Sequence, residues 1–187
     1  METVFCGKAR HDGMFAVTAT LFVMLLLIVP PVHSDGPLPA PAKHDVLSQN
    51  KKFRAELDPR VGTKIINVES GRVLWQIPDW YRWVFLGDDG EYLVTGYDGL
   101  NLIPLDYTKN LVLITFWKKG NKNKDITVGD LFSDTRILQR TVSHYQWGYI
   151  YGIDRNGFLH VKRCDGLEIL FDVRTGAKRG NIGQSLP

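Results

Sequence analysis

A serine stands directly beside a histidine, and this pair is the first candidate for chemistry. Ser143 and His144 supply a hydroxyl and an imidazole, which perform acyl transfer when a carboxylate orients the base. Neighbouring residues on a strand point to opposite faces, so the two side chains meet only in a turn. The sequence has no Gly-x-Ser-x-Gly elbow. We therefore interpret His144 as packing a loop onto a sheet, together with Tyr145 and Trp147.

His160 and Cys164 are the weak candidates for metal ligation. Alternate residues on one strand share a face, so both side chains could reach one ion. Zinc takes four protein ligands, or three and a water, and no pair of histidines or cysteines has the tight spacing of such a site. We interpret this pair as a half-buried histidine and a core cysteine, and predict no metal and no cofactor. A small exported hydrolase or metal-dependent enzyme that uses His144 or His160 is the alternative function.

Asp88, Asp89 and Glu91 form a small acidic cluster that could offer oxygens to calcium. No EF-hand spacing surrounds it, and an aspartate before a glycine is already explained by turn geometry. The cluster is therefore interpreted as part of a hairpin.

The sequence Trp80-Tyr81-Arg82 gives the best indication of binding. Tryptophan, tyrosine and arginine dominate the energetics of protein interfaces. Pro78 and Asp79 open this stretch, which favours a loop that displays Trp80 and Tyr81. Other tryptophans more commonly fill a core. Trp80, Tyr81 and Arg82 are therefore the predicted contact residues, and no residue is predicted to be catalytic.

Turn dipeptides punctuate the chain and predict a series of β-hairpins. Asp-Gly or Asn-Gly pairs stand at residues 89, 98, 156 and 165 between apolar, β-prone runs. Such pairs suit a type I′ turn, which needs positive φ at both centres. The nearly continuous apolar run at residues 111–117 predicts a central strand that is buried on both faces. A short helix is predicted from Ser133 or Asp134 through Arg140.

Two short patterns recur along the chain. Residues 66–71 (Ile-Asn-Val-Glu-Ser-Gly) echo residues 171–176 (Phe-Asp-Val-Arg-Thr-Gly). A second echo precedes Phe53, Tyr92 and Phe158. The first interval is close to the period of about 40 residues seen in propeller blades, but the second is far longer. An open assembly of about two and a half blade-like units is therefore expected.

Residues 84–96 resemble the core of WD-repeat and TolB-like propeller blades, and residues 171–176 are similar to the outer hairpin of such a blade. The layout also resembles small exported bacterial proteins without assigned activity, through Tyr97–Leu102 and Ser143–Gly148. The resemblance covers about half of the chain beyond its N-terminal segment. It implies a mainly β fold: an antiparallel meander of propeller-blade-like hairpins, in an open sheet or two packed sheets, with one short helix.

The N-terminal residues have the order of a secretory signal. Lys8 and Arg10 precede an uncharged run over 14–32, and Ser34 ends a plausible cleavage site. Residues 1–34 are predicted to be a signal peptide with a hydrophobic helix, or an uncleaved anchor of a membrane-associated accessory subunit, since the run is just long enough to span a bilayer.

Further boundaries follow from composition. A proline-rich linker is expected at 35–45, a single β-rich domain at 46–179 and a flexible tail at 180–187. The chain is predicted to be exported to the periplasm or the outside of the cell, with membrane contact only through residues 14–32.

Charge and cysteine content restrict the partners. The net charge is +3, and no segment is basic enough to indicate nucleic acid. Beyond the signal segment only Cys164 remains, so no internal disulfide is available. We predict a non-enzymatic binding module whose partner is a protein or a cell-envelope component.

Overall fold

The computed structural model describes residues 36–182, and their side chains through residue 180. These residues belong to one compact unit, Asp35–Pro187. The predicted signal helix lies outside the described residues. Within residues 36–182, no helix is both long and apolar enough to cross a membrane.

The described residues contain fifteen strands, which make four antiparallel sheets. Sheet A has the order β1-β2-β3-β4, sheet B the order β5-β6-β8-β9, sheet C the order β10-β11-β7 and sheet D the order β12-β13-β14-β15. The strands are β1 His44–Leu47, β2 Phe53–Asp58, β3 Gly62–Asn67, β4 Val73–Ile77, β5 Val84–Leu86, β6 Tyr92–Gly96, β7 Leu102–Pro104, β8 Val112–Lys118, β9 Asn121–Thr127, β10 Gln139–Arg140, β11 His144–Gln146, β12 Gly148–Ile153, β13 Phe158–Arg163, β14 Glu168–Asp172 and β15 Lys178–Ile182.

The predicted fold class is confirmed: the protein is mainly β, and its sheets are antiparallel. Sheets A and D are four-stranded meanders, as propeller blades are, and sheet B has four antiparallel strands from whose order β7 is missing. The described residues therefore contain three blade-like sheets where about two and a half were expected. The sheets also pass the predicted domain limits, since β1 begins at His44 and β15 continues to Ile182.

The short helix lies earlier than predicted. Helix α1 spans Val128–Leu131, where Thr127 and Asp130 cap it through a reciprocal capping box. The predicted helix through Arg140 is a single 3₁₀ turn, Thr135–Ile137, capped by Asp134. The chain then enters β10, because Leu138 turns into the core and leaves the helical path.

The recurring turns occupy equivalent places in sheets A, B and D. In each sheet the residue before the first hairpin turn donates its backbone N–H across the turn at 2.9 Å; the pairs are Ser48 with Phe53, Gly87 with Tyr92, and Asp154 with Phe158. The type I′ interpretation is wrong. In residues 36–182, non-glycine positive φ occurs only at Lys51, Leu100 and Lys119. Gly90 and Gly157 alone take positive φ in their turns, as in a type I turn followed by a glycine bulge.

The pattern shared by residues 66–71 and 171–176 marks the last hairpin of sheets A and D. In sheet A, Gly71 donates its N–H to the carbonyl of Asn67, and in sheet D, Gly176 donates to the carbonyl of Asp172. Both glycines take a left-handed φ, 67° and 66°. The Asn67 side chain accepts from the N–H of Ser70, and the Asp172 side chain accepts from the N–H of Arg174. The last hairpins of sheets A and D therefore use the same turn.

Sheet B separates two apolar cores. Its strands alternate, so Leu93 and Trp117 face sheet A, whereas Val94 and Phe116 face sheets C and D. Strand β8 lies inside sheet B and is buried on both faces, which confirms the prediction for this strand.

Asp172→Asn is expected to lower the free energy of unfolding at pH 7 by about 1 kcal/mol. Burial raises the pKa of Asp172, but the N–H of Arg174 and the guanidinium of Arg179 outweigh burial and hold that pKa below its usual range. Arg179 is more than half exposed, so solvent screens the pair and limits the loss. Asn67 shows that asparagine fits this turn.

The loss depends on pH. A carboxylate with a lowered folded pKa stabilises the protein above its unfolded pKa, about 3.9, and this stability disappears as the pH falls through the folded pKa. Urea denaturation from pH 7 to pH 2 should show the two proteins converging below about pH 4. A difference that stays constant to pH 2 would contradict this assignment.

Candidate functional site

The predicted contact residues line a cleft beside sheet B. Trp80, Tyr81 and Arg82 lie in the loop between β4 and β5 and form one wall of a cleft of about 460 Å³. Tyr97 and Asp98 form another wall, after the end of β6. The cleft, called here the aromatic cleft, is also lined by Pro41, Asp79, Thr95, Gly96, Val112, Leu113, Ile114 and Thr115.

The loop that carries these residues is fixed to sheet A. Thr63 is fully buried in β3 and donates its hydroxyl to the carbonyl of Asp79 at 2.8 Å. The proline at residue 78 cannot donate to a sheet and ends β4. The chain therefore leaves sheet A at a fixed point and crosses towards sheet B.

Trp80 is half-buried and connects its own loop to the segment at the start of β1. Its indole N–H donates to the carbonyl of Ala42 at 3.0 Å. The ring of His44 meets it edge-on at 5.6 Å, and the Arg82 guanidinium carbon lies 5.1 Å from its centroid. The loop thus presents Trp80 to the chain segment before β1 rather than to open solvent.

Tyr81 lies deeper, against the core between sheets A and B. Its ring centroid is 5.9 Å from that of Trp117. Burial, followed by the nearby Asp79 carboxylate, raises the pKa of Tyr81 to about 12. A hydrogen bond to the Asp79 side chain also contributes to the raised pKa, so the single O–H of Tyr81 is directed at Asp79.

Arg82 has donor capacity that its neighbours do not use. Its side chain is only 14% exposed, and its Nε lies 3.4 Å from Oδ1 of Asp98. That contact is an ion pair without hydrogen-bond geometry, and the buried Nε has no hydrogen-bond partner among the described residues. A buried donor without a hydrogen bond costs free energy.

Ser143 and His144 do meet. The backbone N–H of Thr141 donates to the carbonyl of His144 and closes a turn. Within this turn the Ser143 Oγ lies 2.8 Å from Nδ1 of His144. His144 also lines a second cleft of about 480 Å³, together with Leu38, Tyr97 and Asn101.

His160 and Cys164 have separate partners. The Nε2 of His160 lies 3.1 Å from Oδ2 of Asp154. Cys164 follows the end of β13, and its thiol donates to the carbonyl of Ile137 at 3.4 Å. Burial raises the pKa of the Cys164 thiol. Within residues 36–182, no group of three or more metal-ligating side chains is found.

The acidic cluster serves the hairpin of sheet B. Asp88 accepts from the backbone N–H of Asn50 at 2.7 Å and so links sheet B to sheet A. Asp89 accepts from the N–H of Glu91, whose carboxylate pairs with Lys119 at 2.7 Å. These contacts account for the cluster as turn chemistry.

Sequence reasoning missed two parts of the aromatic cleft. Tyr97 lines both clefts, and burial, followed by Asp98 and Asp106, raises its pKa. The segment 36–42 lines both clefts as well, through Pro41 on one side and Leu38 on the other. Its repeated prolines were the available signal for a role beyond spacing.

No protein-family model and no curated protein matches the chain. Its structural neighbours include WD40-repeat proteins. It is similar to the structure of U3-55K, at 14% identity and a TM-score of 0.43, over 80% of this chain and 42% of that chain. It is equally similar to the WD40 repeats of RRP9, over 80% of this chain and 41% of that chain. The chain therefore spans less than half the length of either neighbour.

Proposed function

We propose that this protein is a binding module and that the aromatic cleft is its contact site for a protein partner. The observation that carries the proposal is the Nε of Arg82, which is buried beside Trp80 and lacks a hydrogen-bond partner within the described chain. Arginine in a desolvated aromatic setting is typical of residues that dominate interface energies.

The surrounding groups suit a peptide better than a simple anion. The guanidinium of Arg82 can donate to backbone carbonyls, and the hydroxyl oxygen of Tyr81 can accept from a backbone N–H. Asp79 and Asp98 at the same cleft would repel a free anion. The aromatic faces provide apolar contact at low entropic cost, since each ring has only two rotatable bonds.

The test is partner capture by the full chain from its own cells, with stoichiometry read by mass spectrometry. Tyr81→Ala and Arg82→Ala are expected to reduce capture by about tenfold or more, because each removes a buried contact of the cleft. Tyr151→Ala is the matched control, since Tyr151 is an exposed tyrosine on sheet D.

Thermal unfolding of each variant separates lost binding from lost folding. Capture that survives both cleft variants, or that falls equally in Tyr151→Ala, would remove the cleft from the proposal.

We also propose that the chain is exported to the periplasm or the outside of the cell, on the basis of the charge and apolar pattern of residues 1–34. Intact-mass measurement of the protein from its own cells is expected to give a chain that begins at Asp35. A mass that retains residues 1–34 would instead favour an uncleaved membrane anchor.

A hydrolase is the second candidate function, favoured by the 2.8 Å contact between Ser143 and His144 beside the second cleft. A nucleophile within reach of its base is the geometry that acyl transfer requires. A fluorophosphonate probe should then label the wild-type protein and fail to label Ser143→Ala. Equal labelling of both proteins, or of neither, would dismiss this candidate.

A further inference from the structure

The chain places its own proline-rich segment beside both clefts, with Pro41 at the aromatic cleft and Leu38 at the second cleft. Residues 36–42 read Gly-Pro-Leu-Pro-Ala-Pro-Ala and form neither helix nor strand. Three of these seven residues are prolines at alternate positions, which restricts the backbone to extended conformations. Such a segment resembles a ligand that is already ordered before it binds.

The contacts to this segment are those that extended peptides make in grooves. The indole N–H of Trp80 donates to the carbonyl of Ala42 at 3.0 Å, and Nδ1 of His44 lies 3.2 Å from the same oxygen. Pro41 lines the aromatic cleft beside Trp80, and Leu38 lines the second cleft beside Tyr97. Aromatic rings that hold prolines, with a ring N–H on a backbone carbonyl, are the means by which proline-rich peptides are recognised.

The segment covers the clefts without filling them. Every residue from 36 to 42 is exposed, and Leu38 remains 43% exposed although it lines a cleft. The two clefts keep about 460 and 480 Å³ of open space. A segment with so little buried surface is held weakly and can be displaced.

We propose that residues 36–42 are an intramolecular ligand of the aromatic cleft, and that the partner bound there presents a proline-rich extended segment that displaces them. This inference rests on the proposed function of the cleft and specifies its ligand. A tethered competitor acts at a millimolar effective concentration, so the wild-type protein should bind such a peptide only weakly in trans.

The experiment measures binding of a fluorescently labelled peptide, with the sequence of residues 35–43, to the full chain by anisotropy. The triple variant Pro37→Ser, Pro39→Ser, Pro41→Ser weakens the tethered ligand. It is expected to bind the peptide at least about fivefold more tightly than wild type, because the competitor no longer fits.

Removal of the indole donor tests the site itself. Trp80→Phe in the triple-variant background should weaken peptide binding about fivefold, which corresponds to one net hydrogen bond. Trp75→Phe is the matched control, since Trp75 also donates its indole N–H to a carbonyl, that of Gly90, in another part of sheets A and B.

Each other outcome overturns the inference. Equal affinity of the wild type and the triple variant would show that the segment is not a competitor. Equal affinity for a peptide with alanine in place of each proline would exclude recognition of an extended proline-rich ligand. Peptide binding that is unaffected by Trp80→Phe would also overturn it, as would a triple variant that binds no peptide at 1 mM. Partner capture that still depends on Tyr81 and Arg82 would leave the proposed function standing in each case.

Discussion

The burial of sheet B on both faces is the constraint on which the rest of the structure depends. Strand β8 is the most apolar part of the described chain, and its two faces contribute to separate cores. Trp117 fills the side towards sheet A, and its indole N–H must be paired because water cannot reach it. Thr95 on the adjacent strand accepts this bond at 3.1 Å, so the pairing of β6 with β8 is secured by side chains as well as backbone. Sheet A packs on one face of sheet B, and sheet D packs on the other.

The same constraint positions the aromatic cleft. Thr95 both accepts from Trp117 and lines the cleft, so the cleft floor belongs to the core itself. The wall formed by Tyr81 rests on Trp117 from the other side. A binding surface built on such packed elements loses little entropy when a ligand arrives, which makes a few buried contacts sufficient for affinity. The Arg82 Nε is buried without a hydrogen bond, and the rigid packing around it holds it in this unfavourable setting.

Local sequence patterns predicted the hairpins, whereas the spacing of the later blades depends on pairing between distant strands, which local patterns do not report. Turn residues and alternating apolar residues act over a few positions, so the strands and the buried β8 could be read from the sequence. The echo from Phe53 to Tyr92 has the spacing of one blade. The next interval, to Phe158, is longer because β7 does not join sheet B and pairs with β11 in sheet C instead. Residues 128–147 then connect the end of β9 to the start of β12. A strand inserted into another sheet has no local signal.

The residues of the aromatic cleft were predicted only in part, because sequence patterns report neighbours along the chain. Trp80, Tyr81 and Arg82 are adjacent in sequence, whereas Tyr97 reaches them only through the fold.

The tether of the proline-rich segment has consequences for how a partner would be selected. The segment continues through Lys43 into β1, which pairs with β2, so the C-terminal end of the segment stays fixed at sheet A. A segment held at that end leaves and returns without loss of the protein's fold, because none of its residues belongs to a sheet. An intramolecular ligand rejects every partner that binds more weakly than the tether's effective concentration allows. Selectivity then comes from competition as well as from the contacts of the cleft. A partner peptide must bind at least as well as the tethered prolines, and it gains further affinity from polar groups that the prolines do not contact, chiefly those of Tyr81 and Arg82.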